Sequence, residues 1–75
     1  MFENIQTVMV EALNLNREDI TPTAHLRDDL GVDSLDAAEL IMELEDTFQL
    51  KIDEAQASSF ATVGDIVNFI TANKH

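Results

Sequence analysis

The sequence predicts a small all-α bundle, and three observations carry that prediction. Several stretches place apolar residues at three- and four-residue spacing, the mark of helices with one buried face. No run alternates apolar and polar residues for long enough to make a strand. The chain has 75 residues and no cysteine, so neither disulfides nor a thiolate metal site can staple it. One domain over residues 1–75, held by packing alone, is the expectation.

Phe2 to Leu15 reads as the first helix. Ile5, Val8, Met9, Ala12 and Leu13 form its apolar stripe, with Glu3, Gln6, Glu11 and Asn14 on the other side. Residues 16–33 lose the period and contain Thr21-Pro22-Thr23, which resists helix continuation. So long a connection in a compact domain is uncommon and tends to be functional. Its scattered Ile20, Leu26 and Leu30 predict a loop pinned across the core. Ser34 to Gln49 is the next helix, and Asp53 to Phe60 forms one or two turns. Thr62 to Asn73 is the last, opened by a capping box from Thr62 to Asp65. Val63, Ile66, Val67 and Ile70 give it a buried stripe, with Phe69 at the rim.

Charge narrows the function classes. Fifteen Asp and Glu face four Lys and Arg, a formal net charge of −11. Such a chain repels phosphate backbones and anionic membranes, so nucleic-acid partners and stable membrane insertion are not expected. Basic protein surfaces are its natural partners, and the attraction chiefly speeds encounter. Solubility alone is the plainer explanation of the acidity. No secretory start or spanning apolar run is present, so a soluble cytoplasmic or organelle-matrix protein is expected, cytoplasmic first.

The helix from Ser34 carries two faces and a border. At about 100° per residue, Ala37, Leu40, Ile41, Leu44 and Phe48 share the core stripe. Asp36, Glu39, Glu43 and Asp46 form an acidic ridge opposite. Leu35, Ala38 and Met42 lie between. Two readings stay open for them: an apolar docking patch inside a charged surround, or packing beneath the preceding loop.

Ser34 stands in Leu30-Gly31-Val32-Asp33-Ser34-Leu35-Asp36, where a loop becomes a helix. A nucleophilic serine needs a base held by a third group. Neither His25 nor His75 lies in a pattern aimed at Ser34, and no nucleophile elbow exists. His25 reads as a loop residue and not a metal ligand, since no second ligand is spaced to join it. Ser34 is thus a residue to be acted upon, or simply a helix cap. A phosphate ester there would meet free backbone N–H groups and the positive end of the helix dipole. Gly31 lets the backbone turn sharply just before it.

Taken together these residues resemble an acyl carrier protein of the dissociated fatty-acid-synthesis type. The likeness runs nearly the whole length. It covers the Asp-Leu-Gly-x-Asp-Ser-Leu signature at Asp29 to Leu35, Glu39-Leu40, Glu45-Asp46-x-Phe48, the Ile52 turn and Thr62-Val63. The resemblance implies a four-helix bundle with a long first loop and a short third helix. It implies that Ser34 receives a 4′-phosphopantetheine arm from coenzyme A, installed by a phosphopantetheinyl transferase. The arm's thiol, not a protein atom, then holds the acyl chain, which fits a carrier without cysteine. No catalysis by the chain itself and no resident metal are expected. Asp33 matches an acid flanking the modified serine and read by the transferase. Leu35, Asp36, Glu39, Met42, Glu45 and Asp46 match the surface read by the basic docking patches of fatty acid synthase enzymes and acyltransferases. Leu26, Ala37, Leu44, Ile52, Phe60 and Ile66 match positions that shelter the acyl chain. A monomer is expected. Two departures stand out: the third helix, Asp53 to Ser59, lacks the usual proline and denser acids, and Phe60 replaces a smaller aliphatic.

A carrier of polyketide or aminoacyl units shares the signature, and so the cargo stays open. An acidic interaction module without the arm, mimicking nucleic acid toward a basic protein, is opposed only by the serine signature. An EF-hand fails because Leu30 and Val32 stand where acids should follow Asp28.

Overall fold

The computed structural model describes residues 1–73, so His75 lies outside the described residues. Among the described residues four α-helices carry the fold: α1 Phe2–Leu13, α2 Ser34–Phe48, α3 Glu54–Ser59 and α4 Val63–Asn73. The described residues form no strand, only an isolated antiparallel bridge between His25 and Thr62.

Helix α1 stops two residues before the expected Leu15. Asn14 takes the left-handed conformation at φ 57° and its N–H donates to the Val10 carbonyl at 2.9 Å. Asn tolerates that conformation better than most residues, and it satisfies a carbonyl the helix end would leave free. Ile5, Val8 and Met9 are buried, while Ala12 and Leu13 are half-buried at the stripe's end.

The long connection is not wholly without helix. Arg17–Asp19 form one 3₁₀ turn, too short to show a period in the sequence. Gln6 Nε2 donates to the Ile20 carbonyl at 2.8 Å, and Arg17 Nη2 donates to Thr7 Oγ1 at 2.6 Å. These bonds fasten the start of the loop to α1. Ile20, Ala24, Leu26 and Val32 enter the core, and Leu30 is half-buried.

The middle of the loop is sewn to the head of α4. The Leu26 N–H donates to the Ala61 carbonyl at 2.9 Å, Val63 N–H to Ala24 at 3.1 Å and Gly64 N–H to Pro22 at 2.9 Å. A Cβ on Gly64 would stand 2.8 Å from the Pro22 oxygen, so this approach requires glycine. Thr62 and Asp65 form the expected reciprocal cap. Asp65 N–H donates to Thr62 Oγ1 at 3.2 Å, and Thr62 N–H donates to Asp65 Oδ2 at 3.1 Å. Helix α4 therefore begins one residue later than the sequence suggested, with Thr62 as its cap.

Helix α2 packs chiefly on α1 and buries Leu40 and Leu44 in the shared core. It ends at Phe48, and Gln49 caps it in the left-handed conformation at φ 54°. Helix α3 is different in kind. It spans six residues, buries none of them, and is started by Asp53 Oδ1 accepting the Gln56 N–H at 2.8 Å. The remaining core residues are Ile52, Val63, Ile66 and Ile70.

Candidate functional site: the head of helix α2 and the cavity beside it

Asp33, not Ser34, caps α2. Its Oδ1 accepts the Asp36 N–H at 2.8 Å, and its carbonyl accepts the Ala37 N–H at 2.8 Å. Ser34 is the first helical residue, exposed, and its hydroxyl takes no part in that cap. The capping explanation of Ser34 is thereby withdrawn. The Ser34 and Leu35 amides precede the first intrahelical bond and point out of the helix head, where an anion is favoured.

Gly31 makes the turn that sets this up. Its φ is +68°, and nothing lies within 4 Å of where a Cβ would be, so the space beside the loop is open. A non-glycine residue would be strained at that φ without being blocked by neighbours.

Ser34 also lies on the border of a cavity of about 530 Å³. Leu26, Val32, Ala37, Leu40, Ile41, Phe60 and Ile66 make its apolar walls, with Arg27, Asp33, Glu54 and Ser58 among its polar neighbours. Behind one wall, the Phe60 ring meets Phe69 edge-on, 5.5 Å between centroids at 62°. That pair braces Phe60, since edge-to-face aromatics at this separation attract. An apolar space this size beside a free hydroxyl can shelter an alkyl chain tethered to that hydroxyl.

The sequence-derived pocket set divides. Leu26, Ala37, Phe60 and Ile66 line the cavity. Leu44 is fully buried and Ile52 is 7% exposed, and both belong to the core rather than to this wall. Val32, Leu40, Ile41, Met42 and Ala57 line it as well, although they lay outside that set. Arg27 was missed because it lies in the aperiodic stretch, where spacing carries no signal.

The outer face of α2 resolves the question left open for its border residues. Leu35 is 81% exposed and Met42 66%, the large hydrophobic side chains left outside the core. Neither packs under the preceding loop. Glu39, Glu43 and Asp46 stand exposed around them, and Asp36 is half-buried. Met42 faces both ways, since it also lines the cavity. Glu45 differs from its neighbours: it is half-buried, and its Oε2 accepts the Ile52 N–H at 2.9 Å. His25 is exposed, and its amide donates to Asp29 Oδ2 at 2.7 Å. At the head of α4, hydrogen bonds from the Ala61 and Thr62 amides hold the Asp65 carboxyl below the usual carboxylate range. Among the described residues no helix is long and apolar enough to cross a membrane.

The model of the phosphopantetheine attachment site family matches residues 3–70 of this chain. An acyl carrier protein of Helicobacter pylori (strain J99) is 47% identical over 74 residues, spanning 99% of this chain and 95% of the relative. The chain belongs to the acyl carrier protein family. An acyl carrier protein of Wolinella succinogenes is 45% identical over 74 residues, again 99% of this chain and 97% of the relative. A solved structure assigned as an acyl carrier protein, from Mycobacterium tuberculosis, superposes with a TM-score of 0.87 at 38% identity, covering 95% of each chain. An acyl carrier carries its cargo on phosphopantetheine and works with partner enzymes, and the group fits here. A free exposed hydroxyl, unspent helix-head amides and open space at Gly31 supply what a phosphodiester-linked arm requires.

Proposed function

We propose that Ser34 carries the 4′-phosphopantetheine arm, and that the chain thereby transports the growing acyl chain in fatty acid biosynthesis. The observation that carries this reading is the Ser34 hydroxyl, free of the α2 cap and set at the border of the apolar cavity. When bound, the arm supplies the thiol that holds the cargo as a thioester, chemistry the chain lacks without cysteine. The residues of the chain bind, aim and shelter. Ser34 Oγ would hold the phosphodiester once the transferase has cleaved the pyrophosphate of coenzyme A and released the nucleotide, and the first amides of α2 would be available to the phosphate. Leu26, Ala37, Ile41, Phe60 and Ile66 exclude water from the alkyl portion.

In the same reading Asp33, Leu35, Asp36, Glu39, Met42 and Asp46 form the surface that partners meet. Those partners are the phosphopantetheinyl transferase, the fatty acid synthase enzymes and acyltransferases, each presenting basic residues. Exposed acids around two exposed apolar side chains support this, charge steering the encounter and Leu35 with Met42 closing it. Glu45 serves this surface less than the fold. Residues 1–75 act as one carrier domain, a monomer at work in the cytoplasm.

The test is loading. Coenzyme A, Mg²⁺ and a phosphopantetheinyl transferase should add one phosphopantetheine to the protein by intact mass, and Ser34→Ala should fold yet stay unmodified. An adduct on the variant sinks the assignment of Ser34.

A further inference from the structure

Arg27 borders the same cavity as Ser34, and among the described residues it is the one cation in the lining. The backbone places it there. Gly31 N–H donates to the Arg27 carbonyl at 3.1 Å and Val32 N–H to the Leu26 carbonyl at 2.8 Å. The turn therefore folds back and sets Arg27 beside the residues that lead into α2. Two acids of this stretch accept backbone amides, Asp29 Oδ2 from His25 at 2.7 Å and Asp33 Oδ1 from Asp36 at 2.8 Å, while Glu54 borders the cavity as a further acid. Arg17, by contrast, is bonded to Gln6 and Thr7, away from this cavity.

A phosphodiester on Ser34 would put a full negative charge between Asp33 and Asp36, in a chain whose net charge is already −11. The helix head offsets part of that charge, within its first turn only. A guanidinium supplies the rest well, because its forked N–H donors match phosphate oxygens where an ammonium offers a point charge. We infer that Arg27 binds the phosphate of the arm on Ser34, anchoring its first bonds at the cavity edge and aiming the remainder along the apolar wall. This rests on the assignment of Ser34.

The experiment compares melting temperatures before and after loading, at low salt, for the wild type, Arg27→Ala, Arg27→Lys and Arg17→Ala. Loading is verified by intact mass in every case. The temperature change on loading should be less favourable in Arg27→Ala than in the wild type by roughly 1–5 °C, the range for one exposed charge pair in a domain of this size. Arg27→Lys should keep part of the difference. Arg17→Ala removes the same charge elsewhere and should match the wild type. At about 0.5 M salt the Arg27 effect should shrink, as screening demands. An identical loading change in the wild type and Arg27→Ala overturns the inference, as does an equal effect of Arg17→Ala. Absence of any adduct at Ser34 is a separate result, removing the assignment of Ser34 and this role together.

Discussion

The Glu45 carboxylate accepts the Ile52 amide at 2.9 Å, tying the last turns of α2 to the segment that leads into α3. Without that bond a partly buried N–H would be orphaned beside the core. Glu45→Ala should therefore destabilise the fold by about 1–3 kcal/mol, the cost of an unsatisfied donor once bonded to a charge. Thermal melts of Glu45→Ala beside Glu39→Ala test this. Equal losses would mean Glu45 is only another surface acid.

Charge reversal on the exposed ridge should act on encounter and leave stability nearly untouched. Glu39→Lys, and more so Glu39→Lys with Asp46→Lys, should slow both loading and acyl transfer, with helix content intact. The defect should narrow as salt slows the wild type, since steering is what was lost. Wild-type rates for the double variant at low salt would remove the ridge from the docking surface.

Self-repulsion should limit the stability of this chain. Residues 28–54 hold ten acids against Lys51 alone. Raising salt from about 0.01 M, with a Debye length of about 30 Å, to about 1 M, where it is about 3 Å, should raise the melting temperature. Millimolar Mg²⁺ should do the same. A melting temperature indifferent to both would mean the acids are too widely spaced to repel.

Acid should expose the Asp65 cap. Its folded pKa is lowered from 3.8 by the Ala61 and Thr62 amide hydrogen bonds, so its contribution is present above that value and lost as pH falls through the folded one. Asp65→Asn should melt below the wild type at pH 7, and the gap should close well below pH 3.8, where the wild-type side chain is also neutral. Melts at three pH values suffice. A gap that persists in strong acid would assign the effect to geometry instead of charge.

Cargo should stabilise the loaded protein. Each CH₂ withdrawn from water into the cavity gains roughly 0.8 kcal/mol before strain, so the melting temperature should climb with acyl length and level off when the space is full. Ala37→Trp, which fills the cavity wall, should abolish the climb. Leu44→Trp is a poor choice, because Leu44 is core and the larger ring would overpack it. Identical melts with no acyl, a medium chain and a long chain would mean the cargo stays in solvent.

How much of this was legible in the sequence follows from what periodicity measures. The stripes of α1, α2 and α4 were readable because each helix buries one face, and that face repeats. Periodicity sees which side is apolar, not what lies across from it. Ala37 and Leu44 fall on one stripe, yet one meets a cavity and the other solid core, a difference made by α3 and the long loop. Helix ends were misplaced by a residue or two where the stop depends on a backbone conformation, as at Asn14, masked by the apolar Leu15 beyond it. Asp33 and Ser34 are both ordinary caps, and only the hydrogen bond distinguishes them. Glu45 looked like any ridge acid because its partner, the Ile52 amide, carries no side-chain signature.

Helix α3 buries none of its six residues, although it borders the cavity through Glu54, Ala57 and Ser58. The bundle thus divides energetically into a cooperative block, α1 with α2, α4 and the sewn loop, and one peripheral turn of low local stability. Such a segment opens without the rest unfolding. If the cavity shelters the cargo as proposed, chains of different sizes would be taken in by displacing the one wall whose movement leaves Leu40, Leu44 and Ile66 packed. Tolerance of length and integrity of the fold would then be set by different parts of the same short chain.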